Sequence, residues 1–219
     1  MPIQTKNKNG TQSIQRGLDK NFESTLLNYQ YAKGIEFFEK YFYNYPFLKL
    51  SPRNLVHLGL LYDHAAMTSN KRVFLNNQAR QYYRSALSLD PGFYPALWGL
   101  GRIFWHQNDK RSLLYARKAY HLAKKGKDDT IGHFAQNIAL IYKGLGNNRR
   151  AIFWFKRGLK ESPQEWGMVY NLMCFYLETR RNKQESRKLA RKLKSMLETK
   201  DRNNRWLREV HAFTKIVAE

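Results

Sequence analysis

The chain has 219 residues, 42% hydrophobic and 15% aromatic, which suits one domain or one short repeat array with a packed core and excludes a disordered chain. Its 39 Lys+Arg against 17 Asp+Glu leave a net charge of +22, so nucleic acid, acidic protein segments and anionic lipid are all permitted partners, and the charge says nothing of the fold. Residues 1–28 read as a polar, partly ordered N-terminal segment, in which Ile14, Leu18 and Phe22 leave a first helix undecided. A clear helix follows over Tyr29 to Asn44, carrying Gly34-Phe38-Tyr41-Pro46.

That spacing recurs. A small residue, an aromatic four later, a small or aromatic residue three later and a proline five later appear again as Ala79-Tyr83-Ala86-Pro91 and Ala151-Phe155-Gly158-Pro163. A second spacing interleaves with it: Leu58-Gly59-Tyr62, Leu100-Gly101-Phe104, Ile138-Ala139-Tyr142 and the weaker Leu172-Met173-Tyr176. Ala151, Ile152, Phe155, Gly158 and Leu159 form one helical stripe, with Lys156, Arg157 and Lys160 outward. Pro163 ends that helix, and Gly144-Leu145-Gly146-Asn147-Asn148 is the turn before it, with glycines suited to positive φ. Each unit is therefore helix, tight turn, helix, proline, and self-similarity of this kind fixes the architecture.

On these residues the chain resembles the tetratricopeptide repeat family. The resemblance implies an all-α fold, a right-handed superhelical stack of antiparallel helix pairs. A half repeat would fill 29–46 and full repeats about 52–91, 94–127, 130–163 and 166–197, with 198–219 as a C-terminal capping helix bearing the Arg202–Val217 stripe. Gly59, Gly101, Ala139 and Met173 stand 42, 38 and 34 residues apart. The first excess, around His64–Asn77, implies a longer inter-helix loop or extended helices. The second, around Lys124–Asp129, lacks the closing proline.

No nucleophile, base and oxyanion site assembles, no Gly-rich phosphate loop is present, and the six histidines form no close chelating pair. A non-enzyme without metal or cofactor is expected. The single cysteine, Cys174, excludes an intramolecular disulfide and fits a reducing compartment. With a polar N-terminus and no apolar run near the roughly 20 residues of a membrane span, a cytoplasmic protein is expected.

The family resemblance places binding residues on the first helix of each pair, which lines the concave groove. By register these are Arg53 and His57; Trp98, Arg102, Trp105 and His106; His133, Gln136, Asn137 and Lys143; and Tyr170 and Asn171. Trp98, Arg102 and Trp105 share a helical face and could stack on planar groups and hold a carboxylate. Asn137 and Asn171 occupy equivalent places and could clamp a peptide backbone. The Lys and Asn of the family's two-carboxylate clamp are replaced by Val56 and Leu60, so chaperone-tail binding is not expected. The expected function is a non-catalytic scaffold holding an acidic or extended peptide of a partner protein. The alternative is an RNA- or ribosome-associated adaptor using a cationic stripe of Arg180, Arg181, Lys183, Arg187, Lys188, Arg191, Lys192 and Lys194.

Overall fold

A computed structural model describes residues 8–46, 51–107, 109–179 and 182–200. Among these residues the chain forms ten α-helices and no strand: α1 (Lys8–Leu27), α2 (Tyr31–Asn44), α3 (Pro52–Thr68), α4 (Arg72–Leu89), α5 (Tyr94–His106), α6 (Arg111–Lys125), α7 (Ile131–Gly144), α8 (Asn148–Glu161), α9 (Trp166–Glu178) and α10 (Lys183–Lys200). Two compact units divide them, Met1–Ser112 and Leu113–Glu219. The 198–219 capping segment lies largely outside the described residues.

In the first unit α1 packs on α2, α3 on α4, and α5 against both α3 and α4. The first helix, undecided from sequence, is continuous for 20 residues. Leu18 and Phe22 are its buried stripe, joining Phe38, Phe42, Leu58 and Leu61 in one core cluster. The polar residues between them face outward, which is why composition alone reads the segment as poorly ordered. The excess around His64–Asn77 resolves as extended helices: α3 has 17 residues and α4 has 18, against 14 each for α7 and α8.

In the second unit α7 packs on α8 and α9 on α10, and α9 also touches α8. Val169 and Met173 of α9 close over Ala190, Leu193 and Leu197 of α10. The turn between α7 and α8 uses Gly146 at φ 69, the left-handed conformation that glycine adopts at least cost. Asn147 then caps α8, its side-chain oxygen accepting from the Arg150 N–H at 3.1 Å.

Small residues set how closely helices approach. The buried Tyr83 ring of α4 lies against the backbone of Gly59 and Gly99, where an added Cβ would stand 2.6 and 2.3 Å from ring carbons. A ring wedged between two helices has nowhere to retreat. Gly99→Ala should therefore destabilise the first unit by about 2 kcal/mol, in the range of overpacked cores, read as a lowered urea midpoint.

Candidate functional site

In the first unit the inner face is occupied by its own side chains. Arg53 Nη2 pairs with Asp19 Oδ2 of α1 at 2.9 Å. His57 is buried, its ring stacked on Phe22 at 3.9 Å and its Nδ1 3.8 Å from Asp19. Beside it the fully buried Asn54 exchanges amide hydrogen bonds with Gln15, at 2.8 and 3.2 Å. Neither His57 nor Asn54 is presented to a ligand, because α1 covers this part of α3.

Further along, Arg102 of α5 reaches back to Asp63 of α3, Nη2 to Oδ2 at 3.0 Å, an ion-pair contact without hydrogen-bond alignment. Asp63 is 1% exposed. Burial raises its carboxyl pKa above the usual value, and the Arg102 charge opposes that rise. The Arg102 guanidinium also lies 4.8 Å over the Trp98 ring, and its Nη1 stands 3.5 Å from His64 Nε2. His64 in turn stacks on Tyr31 at 5.2 Å. Arg102 is thus already committed, and Trp98 serves as its platform. Trp105 and His106, half-buried and 5.2 Å apart by ring centroids, remain partly open at the end of α5.

In the second unit α7 and α9 run side by side and are tied at both ends. His133 Nε2 meets Glu165 Oε2 at 3.2 Å, and Lys143 Nζ meets Glu178 Oε2 at 2.5 Å. Between these ties stand Gln136 and Asn137 of α7 and Asn171 of α9, all half-buried. No side-chain hydrogen bond engages their amides among the described residues. Tyr170 and Cys174 are half-buried on the same helix, and burial raises the Cys174 thiol pKa, which leaves it a passive group.

The cationic helix α10 buries Ser186, Ala190, Leu193 and Leu197. Lys183, Arg191 and Lys192 are exposed, Arg187 is half-buried, Lys188 pairs with Glu185 at 3.1 Å, and Lys194 lies 3.9 Å from Glu198. Arg180 and Arg181 fall outside the described residues.

A family model, tetratricopeptide repeat, matches residues 133–165, which span α7, its turn, α8 and the residues up to the start of α9. Solved structures of the same repeat class share the helical arrangement. Within residues 133–165 the chain carries a tetratricopeptide repeat. Its fold resembles that of TTC0263, a thermophilic tetratricopeptide repeat protein of Thermus thermophilus, at 14% identity and a TM-score of 0.62, over 71% of this chain and 78% of that one. It is also similar to MamA from Desulfovibrio magneticus RS-1, at 13% identity and a TM-score of 0.58, covering 85% and 96%. Pseudomonas aeruginosa pilF matches at 14% identity and a TM-score of 0.58, covering 92% and 89%. No curated protein matches the sequence at a significant level. Among the described residues, no helix is long and apolar enough to cross a membrane and no metal-binding cluster assembles.

Sequence reasoning missed Asp63, the lone acid of α3, and left α1 undecided, so the partners it supplies, Gln15 and Asp19, were not named. Asp63 stands twelve places into its helix, on the side that meets the next repeat; register could have found it, but composition could not.

The buried groups of the first unit's inner face set its response to mutation and to pH. Asp63→Leu leaves Arg102 uncompensated and should cost about 3 kcal/mol, whereas Asp63→Leu with Arg102→Met should recover most of it; thermal unfolding of both variants checks this. Burial lowers the pKa of both His57 and His64 from 6.5 to about 4. The unfolded chain therefore takes up protons first, and stability should fall as pH drops from about 6.5 towards about 4. Urea midpoints across that window should vary less in a His57→Gln/His64→Gln variant, which isolates the histidines from Asp63.

Proposed function

We propose that the protein is a non-catalytic scaffold that holds an extended segment of a partner protein on the inner face of its second unit. Tetratricopeptide repeats form interaction surfaces through their stacked first helices. One observation supports this unit in particular: Gln136, Asn137 and Asn171 offer half-buried amides with no side-chain hydrogen bond, between two polar ties, His133 to Glu165 and Lys143 to Glu178. Each amide carries both a donor and an acceptor, as a peptide backbone does, so a strand of peptide can pair with them whatever its side chains. In the free chain water reaches these half-buried amides, and a ligand backbone would take the place of that water. The basic side chains here, His133 and Lys143, already face Glu165 and Glu178. Selection for an acidic peptide would then depend on the general positive field rather than on free charges in this groove.

A second reading is favoured by α10. Its exposed Lys183, Arg191 and Lys192 add to the excess of basic residues, which suits phosphate contacts without base readout.

The test is panning a randomised peptide display library against the wild type and against Asn137→Ala/Asn171→Ala. The wild type should enrich a peptide set that the variant binds at least about tenfold more weakly, since each lost hydrogen bond is worth about 1 kcal/mol, with unfolding midpoints unchanged. Equal enrichment by the folded variant would exclude this groove.

A further inference from the structure

Away from the inner face, the second unit has an open cleft of about 770 Å³ between α6, the start of α7 and α8. Lys124, Lys156, Arg157 and Lys160 line it together with Ile131, Phe153 and a single carboxylate, Glu161. Helix α8 is strongly amphipathic, with Ala151, Trp154, Phe155 and Gly158 buried. Phe153 departs from that pattern: it is 56% exposed, on the face that carries Lys156 and Lys160. Its ring meets Trp154 edge-on, 5.8 Å between centroids, and its outer part stays in water among lysines.

The floor of the cleft is built rather than loose. Glu161 Oε1 accepts from the Tyr120 hydroxyl at 2.6 Å and from Lys124 Nζ at 3.0 Å, and lies 3.6 Å from Arg157 Nε. Arg157 Nε also donates to the Tyr120 hydroxyl at 2.7 Å, and its guanidinium lies over the Tyr120 and Trp154 rings at 5.1 and 5.2 Å. Burial works to raise the Glu161 pKa, but the hydrogen bonds from Tyr120 and Lys124 and the charges of Lys124 and Arg157 outweigh it and hold the group ionised. One carboxylate thus fixes two cations, while Lys156 and Lys160 have no acidic partner among the described residues and project freely.

We propose that this cleft binds single-stranded nucleic acid, with a base stacked on Phe153 and the flanking phosphates held by Lys156 and Lys160. A charged groove with an aromatic platform is what a single strand needs, because every base has a face to stack and every nucleotide carries a phosphate. A duplex hides its base faces. An acidic peptide would use the lysines, but only a nucleic acid strand supplies a planar group with every charge. The inference deepens the second reading of function by giving it a site, and needs neither α10 nor the peptide groove.

The experiment is fluorescence anisotropy of a labelled oligouridylate with the full chain. Phe153→Ala should weaken binding about tenfold and Phe153→Tyr should restore it. Lys156→Glu/Lys160→Glu should weaken it further and reduce the slope of log affinity against log salt by about 1.4, the share of two phosphates on a single strand. Lys183→Glu/Lys192→Glu on α10 changes the net charge equally and should cost much less. Circular dichroism confirms that each variant is folded. Affinity unchanged in folded Phe153→Ala overturns the proposal. So does an α10 variant as damaging as the cleft variant, which would leave only a diffuse charge effect. A labelled oligoglutamate of equal length that binds as tightly and is equally weakened by Phe153→Ala would make an acidic protein the occupant and likewise refute it.

Discussion

Everything in this stack depends on helices approaching more closely than a Cβ allows. In the first unit the Tyr83 ring is accommodated only because Gly59 and Gly99 leave their flanks bare. In the second, Met168 of α9 sits where a Cβ on Gly132 or Gly158 would stand within 2.9 and 2.5 Å of its side chain. Dense packing at such points leaves no slack. It also brings neighbouring first helices side by side, near enough for short ionic contacts: Asp19 with Arg53, Asp63 with Arg102, Glu165 with His133 and Glu178 with Lys143. Close approach comes first, and the polar ties form because of it.

The two units use the same geometry differently. In the first, ties and stacked rings consume the face that the repeat would otherwise offer: His57 on Phe22, His64 on Tyr31, Arg102 on Trp98. Glu39 of α2 adds a further knot, accepting from the hydroxyls of Tyr62 and Tyr82 at 2.8 and 3.1 Å. In the second unit the ties stand at the ends of α7 and α9 and leave amides between them. The first unit's inner side chains are paired with one another, while the second leaves amides on α7 and α9 without side-chain hydrogen bonds among the described residues.

What was legible in the sequence was what is local. Ala151, Phe155 and Gly158 announce a helix stripe because their spacing repeats within one helix and again in its neighbours, and all three are buried. Leu18 and Phe22 belong to the same kind of stripe, but the polar residues around them masked it. Cross-helix partners have no such signal. Nothing near Arg102 names Asp63, and nothing near Arg53 names Asp19, because those pairings come from stacking. The groove register therefore named residues on α3, α5, α7 and α9, yet it could not tell the spent Arg102 from the unpaired Asn137. Phe153 was missed for a simpler reason: one place along α8 separates an exposed ring from the buried Trp154, and aromatic content alone cannot distinguish them.

The extended ends of α3 and α4 carry one more consequence. Met67, Val73 and Phe74 are exposed by 59%, 76% and 57%, a greasy tip where the two long helices turn. Such a tip invites chains to adhere to one another. A molecule bearing +22 charges meets its copies with a long-range repulsion that ordinary salt shortens to about 8 Å. Colloidal behaviour is therefore set by a balance between that tip and the ionic atmosphere: added electrolyte, or a bound polyanion, weakens the barrier that keeps the tips apart.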